Sequence, residues 1–162
     1  MQTISETEKQ NAKPMPLEAL HNSFWTLFTK IPDWTMSLLA RFAVAGIFWR
    51  SGQTKVTGWE INEFTFMLFE TEYALPFIPF KAAAYMTTFA EHFFPLLLVI
   101  GLATRLSAGA LLIMTLVIQL FIYPASWPDH AIWALAMLFI MSRGPGVLSL
   151  DHLIKTTICD RK

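Results

Sequence analysis

The stretch TTFAEHFFPLLLVIGLATR, residues 87–105, places a carboxylate inside an apolar segment. Glu91 and His92 interrupt a run that is otherwise apolar almost to its end at Arg105. Because a carboxylate without a partner is costly to remove from water, Glu91 should face inward and meet a polar side chain.

The composition of the 162-residue chain is typical of a membrane protein. Hydrophobic residues make up 54% of the chain and charged residues only 15%, whereas soluble domains carry about 25% charged residues. The formal net charge is zero, so the chain lacks the positive excess expected of a nucleic-acid-binding protein. The single cysteine, Cys159, excludes an internal disulfide and a CxxC redox centre.

Four apolar segments define the predicted fold. A helix needs about 20 residues, and at least about 17, to cross the hydrocarbon core of a bilayer. The pattern therefore predicts an all-α, integral membrane four-helix bundle. The four segments are residues 34–50, 82–103, 106–123 and 126–142.

The remaining residues form the predicted tails around a membrane domain. Residues 1–30 are polar and predict a solvated tail with an interfacial helix over 17–29, while 155–162 predict a cytoplasmic C-terminal tail. The membrane domain is then 31–154. The distribution of lysine and arginine favours both termini on the cytoplasmic side. We expect the membrane to be a bacterial inner membrane.

The long connection between the first two segments is too apolar for a water-exposed loop. In residues 51–81, Phe64, Met67, Leu68 and Leu75 recur at helical spacing, and acidic residues lie between them. This pattern predicts an interfacial or re-entrant segment over the outer mouth of the bundle.

Glu91 is the first candidate for a functional residue. It lies about ten residues, or about 15 Å, into the second predicted helix, and Arg41 lies about 10 Å into the first. Arg41 is therefore the predicted partner of Glu91. The pair is either a proton relay or ligand anchor, or a structural ion pair that joins two helices.

Other polar side chains have two interpretations each. His92 points about 100° away from Glu91 around the helix, so the two do not form a bidentate metal site; His92 lies either in the core or at the rim. Gln119 either joins two helices or binds a polar head group such as a quinone carbonyl. Lys55 either extends to the outer interface or forms an anion site there with Arg50.

The fourth segment begins near His130, which is expected at the surface.

The sequence contains no HxxxH, CxxCH or glycine-rich phosphate loop. It therefore predicts no metal site and no intrinsic cofactor.

The order of these segments resembles the DoxX family of small four-helix membrane proteins. The likeness covers about residues 35–154. It is carried by LLARFAVAGIFWRSGQTKVTGW, by the central block from YALPFIPF to IQLFIYP with its GLATR turn, and by WPDHAIWALAMLFIMSRGPGVLSLDHLI. The resemblance implies a shared inward-facing polar site at Lys55, Glu91, Arg105 and Gln119.

The resemblance also implies two functions of different kinds. The family takes its name from a quinone-reducing thiosulfate oxidoreductase, and other members are linked to oxidative-stress complexes. The first hypothesis is a membrane subunit of a quinone-linked redox system, with electrons supplied by a soluble or membrane partner. The second is a non-enzymatic scaffold, assembly factor or small-solute carrier. Whether the chain is itself an enzyme, and whether it forms a homo-oligomer, is left open.

Overall fold

The computed structural model describes residues 21, 23–26 and 29–159. Residues up to Pro32 form one unit and residues from Asp33 onward another. In the first unit the backbone is helical at 23–26. The interfacial helix predicted over residues 17–29 lies mostly outside the described residues.

The described chain is mostly helical, as predicted. In chain order the elements are α1 (Asp33–Gln53), β1 (Val56–Thr57), β2 (Glu60–Ile61), α2 (Glu63–Thr71), α3 (Phe80–Ile100), α4 (Thr104–Val117), α5 (Trp127–Arg143) and α6 (Leu150–Cys159). A π-helical turn, Ile118–Ile122, extends α4, and a short 3-10 turn, Pro124–Ser126, precedes α5. The four apolar segments correspond to α1, α3, α4 and α5.

The four long helices pack in ring order. α1 contacts α3 and α5, and α4 contacts the same two helices, so α3 and α5 lie diagonally across the ring. The core between them is apolar and close-packed. Its fully buried members are Val44, Ala45, Phe48, Leu98, Ala108, Leu111, Met137 and Ile140.

Two of the long helices in the described chain are long and apolar enough to cross a membrane. These are Phe80–Ile100 and α4 with its π turn, Thr104–Ile122. α5 has 17 residues, and α1 carries charged residues at Asp33, Arg41 and Arg50. Length and composition alone therefore identify two of the four predicted spans.

The connection between α1 and α3 contains a two-stranded hairpin that the sequence did not predict. Val56 pairs with Ile61 and Thr57 with Glu60, and Gly58 makes the turn with a φ of +65°. Strands of two residues leave no period-2 pattern to recognise. The helix that follows, α2, agrees with the helical spacing in this segment.

α2 begins at a side-chain cap and packs on the first half of α3. The Asn62 side-chain oxygen accepts a hydrogen bond of 2.7 Å from the backbone N–H of Thr65, which satisfies a free donor at the helix start. From the buried face of α2, Phe69 packs against Ala83 and Ala84 of α3.

α1 ends near the middle of α3. Gly52, one residue before the end of α1, lies so close to α3 that a Cβ there would be 2.7 Å from Cε1 of His92 and 3.2 Å from Cβ of Glu91. Only glycine allows this approach. The chain after α1 therefore begins opposite Glu91.

Candidate functional site

Lys55, two residues after the end of α1, forms a buried ion pair with Glu91 of α3. Its Nζ lies 2.7 Å from Oε2 of Glu91. Lys55 is 8% exposed and Glu91 2%. The Lys55 side chain thus turns inward, and extension to the outer interface, one of the two interpretations of the sequence, is wrong.

Ser51 completes this cluster from the last turn of α1. Its hydroxyl donates to Oε1 of Glu91 at 3.0 Å and accepts from Nζ of Lys55 at 3.1 Å. The Lys55 ammonium also contacts the Ser51 carbonyl at 3.3 Å. Backbone bonds from Lys55 N to Gly52 O and from Asn62 N to Lys55 O fix the residue at this position.

One oxygen of Glu91 keeps free hydrogen-bonding capacity. Oε2 contacts the ammonium of Lys55 at 2.7 Å and no other donor among the described residues. A carboxylate oxygen can accept more than one hydrogen bond. Oε2 is therefore a buried acceptor that a ligand hydroxyl could satisfy.

A second polar pair joins the π-helical turn after α4 to α5. Nδ1 of His130 lies 2.6 Å from Oε1 of Gln119, and Nε2 of Gln119 donates to the Pro124 carbonyl at 2.8 Å. Because the amide nitrogen is used for the carbonyl, the amide oxygen must accept, and Nδ1 of His130 carries the proton. His130 is 6% exposed, so its predicted surface position is wrong.

Nε2 of His130 has no hydrogen-bond partner among the residues that the structure describes. In the neutral ring with a proton on Nδ1, this nitrogen is an acceptor. The ring also meets the edge of Trp133, with centroids 5.1 Å apart. Gln119 thus joins two helical segments, as one interpretation of the sequence stated, and it also sets the tautomer of His130.

Lys55, Glu91 and His130 border one cavity of about 510 Å³. Lys55, Glu91 and Ser51 lie on its α1–α3 side, and His130 and Trp133 lie on α5. The rest of the lining is largely apolar or aromatic. It includes Ile47, Phe48, Phe69, Leu75, Met114, Val117, Ile118 and Ile122. A cavity of this size with a few polar groups is typical of small-molecule sites.

Two tyrosines close one edge of this cavity. The hydroxyls of Tyr73 and Tyr123 lie 2.8 Å apart, and Tyr123 donates to Oε1 of Glu72 at 2.7 Å. Removal from water, together with the bonds to Tyr73 and Glu72, raises the pKa of Tyr123 above its usual value of 10.0. The contacts connect the segment after α2 to the end of α4.

Arg41 does not pair with Glu91, and that prediction is wrong. Its guanidinium donates four hydrogen bonds of 2.7–2.8 Å to backbone carbonyls. The acceptors are Leu98 and Val99 at the end of α3, and Pro145 and Leu148 in the loop after α5. Arg41 lies eleven residues before Gly52 on α1, so it contacts the C-terminal end of α3 and not the middle, where Glu91 lies. The carbonyls at that end carry the negative end of the α3 dipole, which favours a cation.

Arg105 lies apart from the cavity, so the four polar positions implied by the resemblance do not all meet. Its guanidinium lies beside Gly144, where a Cβ would be 3.2 Å from Nη2. It borders a separate polar pocket with Asp33, Arg143 and Lys155. Lys55 and Glu91 are in direct contact, and Gln119 reaches the same cavity through His130.

His92 also lies outside the cavity. Its Nδ1 donates to the Thr88 carbonyl at 2.7 Å, and its Nε2 accepts from the amide of Gln53 at 3.0 Å. The ring packs edge-on against Trp49. His92 is a half-buried side chain with both nitrogens bonded. Across the described residues, no group of three His, Cys, Asp or Glu side chains could hold a metal ion.

Sequence reasoning missed three members of the site: Ser51, His130 and Tyr123. The clearest available signal was for His130, because Gln119 and His130 lie five residues before and six residues after Pro124. Two helices that meet at a tight turn bring such positions together. Ser51 lies four residues before Lys55, a spacing that places two helical side chains on one face.

Comparisons with known proteins identify the family of this chain. The pattern of the DoxX family matches residues 36–124, more than half of the chain. An uncharacterized protein of Haemophilus influenzae is 31% identical over 128 residues, which cover 73% of this chain and 82% of that protein. No solved structure matches the chain significantly. The chain belongs to the DoxX family.

Proposed function

We propose that this chain is an integral membrane four-helix bundle that binds a quinone in the Lys55–Glu91 cavity, as a membrane subunit of a redox system. The observation that carries the proposal is the buried carboxylate of Glu91, paired with Lys55 at the wall of a largely apolar cavity.

The outer surface of all four long helices supports a lipid environment. Large apolar side chains are at least half exposed on each helix, which a water-soluble domain of this size would not tolerate. They include Leu39 and Phe42 on α1, Phe89 and Leu96 on α3, Ile113 and Leu120 on α4 and its π turn, and Ile132 and Leu135 on α5. We therefore extend the two spans identified by length to all four long helices.

The ends of the bundle support the predicted orientation. Nη1 of Arg143 lies 3.2 Å from Oδ2 of Asp33, so α1 begins where α5 ends. Four crossings return the chain to its starting side. Arg105, Arg143 and Lys155 lie at this end, and an excess of such residues favours the cytoplasmic side. Together with the family match and the bacterial relative, this supports a place in a bacterial inner membrane.

The cavity suits a ligand with a polar group at each side of a flat apolar ring. Glu91 on α3 and His130 on α5 line it from diagonal helices. Each can accept a hydrogen bond from a quinol hydroxyl or, once protonated, donate one to a quinone carbonyl. When bound, a quinone takes up two electrons and two protons at two ring oxygens. The apolar lining from α1 and α4 would hold the ring and the start of its isoprenoid tail.

Each polar residue then has a separate task. In quinone reduction, protonated Glu91 would give one proton from Oε2 to a ring oxygen, and protonated His130 would give the other from Nε2. Lys55 stabilises the charged form of Glu91. Its ammonium can also donate a hydrogen bond to the ligand once it leaves its 3.3 Å contact with the Ser51 carbonyl. Gln119 positions His130 by fixing its tautomer. Electrons must come from a partner redox protein.

The test is to identify lipophilic molecules that purify with the full chain. Protein extracted in mild detergent would be analysed for quinone as wild type, as Glu91→Gln and as His92→Gln. Glutamine keeps the shape of the glutamate side chain but cannot hold the proton. The His92 variant is the matched control, because His92 is the next residue on α3 but does not border the cavity.

We expect quinone in the wild type and in His92→Gln, and a marked loss in Glu91→Gln with the fold retained. Absence of quinone from the wild type in a quinone-containing membrane would contradict the proposal. Together with a large loss of thermal stability in Glu91→Gln, that result would favour the non-enzymatic scaffold, with Lys55 and Glu91 as a structural ion pair.

A further inference from the structure

The end of the bundle opposite the tyrosines has a pocket of about 560 Å³. It lies between the turn at 101–103, the loop after α5 and helix α6. We call it the basic pocket. Its charged or titratable members are Asp33, Arg105, Arg143, Asp151, His152 and Lys155.

The two carboxylates of the basic pocket are already occupied. Asp33 pairs with Arg143. Asp151 accepts hydrogen bonds from the backbone N–H groups of Ala103 at 2.8 Å and Thr104 at 2.9 Å, and so caps the start of α4. In the part of the chain that the structure describes, Arg105 and Lys155 have no carboxylate within ion-pair distance. Because the Asp151 carboxylate keeps its charge, the three cations and two carboxylates of the basic pocket carry a net charge of +1, and Arg105 and Lys155 are the cations that a ligand anion can contact.

Helix α6, which borders this pocket, has an apolar face with no protein against it in the described chain. Leu150, Leu153, Ile154 and Ile158 recur at spacings of three and four residues and are 41–63% exposed. Asp151, His152 and Lys155 lie on the other face. An exposed apolar face beside basic side chains is typical of a helix that lies in a membrane interface.

The backbone holds α6 at the level where the long helices end. The N–H of Asp151 donates to the Gly101 carbonyl at 2.9 Å, so α6 starts against the turn between α3 and α4. Arg41 binds the carbonyls of Pro145 and Leu148 just before α6. The position of α6 is thus fixed relative to two helices that the proposed membrane surrounds.

We propose that the basic pocket binds the phosphate of an anionic phospholipid. Arg105 and Lys155 contact the head group, while the apolar face of α6 lies against acyl chains. Charge complementarity and the continuous apolar surface of α6 select this partner over a soluble anion. The inference rests on the membrane environment proposed above but not on quinone binding.

The experiment is native mass spectrometry of the full chain, released from mixed detergent micelles with equal amounts of phosphatidylglycerol and phosphatidylcholine. The variants are Arg105→Gln, Leu153→Gln and Lys81→Gln. Lys81 is an exposed cation at the start of α3, far along that helix from the turn at 101–103, so its loss matches the charge change of Arg105→Gln.

We expect the wild type to retain phosphatidylglycerol in preference to phosphatidylcholine. Arg105→Gln should lower this retention about fivefold, as expected for one basic residue near an anionic lipid surface. Leu153→Gln should also lower it, and Lys81→Gln should leave it unchanged. The proposal is overturned if both lipids are retained equally, if Lys81→Gln acts like Arg105→Gln, or if inorganic phosphate displaces phosphatidylglycerol and binds equally well alone.

Discussion

The ammonium nitrogen of Lys55 lies 2.7 Å from Oε2 of Glu91, although 36 residues separate the two along the chain. The contact exists because Gly52 lets the end of α1 approach the middle of α3. It brings a cation from a loop to a carboxylate on a long apolar helix. The ion pair therefore ties the connection after α1 to the centre of the bundle.

Loss of Lys55 should be more harmful than loss of both partners. Lys55→Met leaves a buried carboxylate without a counter-charge and should lower the free energy of unfolding by about 3–5 kcal/mol. The double variant Lys55→Met with Glu91→Gln removes both charges and should be more stable than Lys55→Met alone. Unfolding in detergent, followed by circular dichroism, would measure this order. Strictly additive losses would show that the residues do not interact.

Arg41 should be irreplaceable by lysine. Its planar guanidinium donates to four carbonyls, two at the end of α3 and two in the loop after α5. The ammonium of lysine has only three donors and cannot reproduce this arrangement. Arg41→Lys should cost about 2 kcal/mol or more, because a buried carbonyl left without a donor costs about 1–3 kcal/mol.

Amide hydrogen exchange would locate this effect. Exchange should become faster in residues 146–149, and it should remain unchanged there in Arg50→Lys, an exposed cation on the same helix. Protection of the loop in Arg41→Lys equal to that of the wild type would contradict the role assigned to Arg41.

Two glycines should respond in opposite ways to alanine. At Gly101, φ is +73°, and a Cβ would lie 2.5 Å from Cβ of Ser149 and 2.6 Å from Nη2 of Arg41. Gly101→Ala should therefore lower the melting temperature clearly, since crowding in a packed site alone costs about 1–3 kcal/mol. Gly46 lies inside α1 with nothing within 4 Å of a Cβ. Gly46→Ala should be neutral or stabilising by about 0.5–1 kcal/mol.

Tyr123 should make stability fall at high pH. Because burial and its hydrogen bonds raise the pKa of Tyr123 above 10.0 in the folded protein, the unfolded chain loses this proton first as the pH rises. The contribution of Tyr123 to the free energy of unfolding is therefore complete below about pH 10 and declines above it. Tyr123→Phe should remove that part of the decline, whereas Tyr85→Phe should not. Equal alkaline profiles for wild type and Tyr123→Phe would contradict this assignment.

The helices were predictable because each long apolar segment has a clear boundary. Gly101, at the end of α3, and Pro124, after the π turn of α4, both interrupt the helical pattern. The hairpin at 56–61 was not predictable, because its strands are two residues long. The N-terminal residues of the predicted tail lie outside the described part of the chain.

The partner of Glu91 was not predictable because the helices are displaced along one another. Depths counted from predicted helix ends assume that all helices begin at one level. In the structure, Arg41 lies beside Leu98 and Val99 and Gly52 lies beside Glu91. Only packing sets this displacement. Gln119 was predictable as a residue that joins helices, but its partner His130 depends on the turn between α4 and α5.

The most direct test of the central proposal is a quinone titration that reports from inside the cavity. A ubiquinone analogue would be added to the full chain in nanodiscs while tryptophan fluorescence is recorded. Trp133 borders the cavity, so the saturable part of the quenching should disappear in Trp133→Phe. Variants Glu91→Gln and His130→Gln probe the two polar walls, and His92→Gln is the control.

We predict saturable quenching in the wild type and in His92→Gln. Glu91→Gln and His130→Gln should each bind about tenfold more weakly, because glutamine replaces a charge-assisted hydrogen bond by a weaker neutral one. Saturable quenching that persists in Trp133→Phe, or affinity that is equal in all variants, would contradict quinone binding between Glu91 and His130.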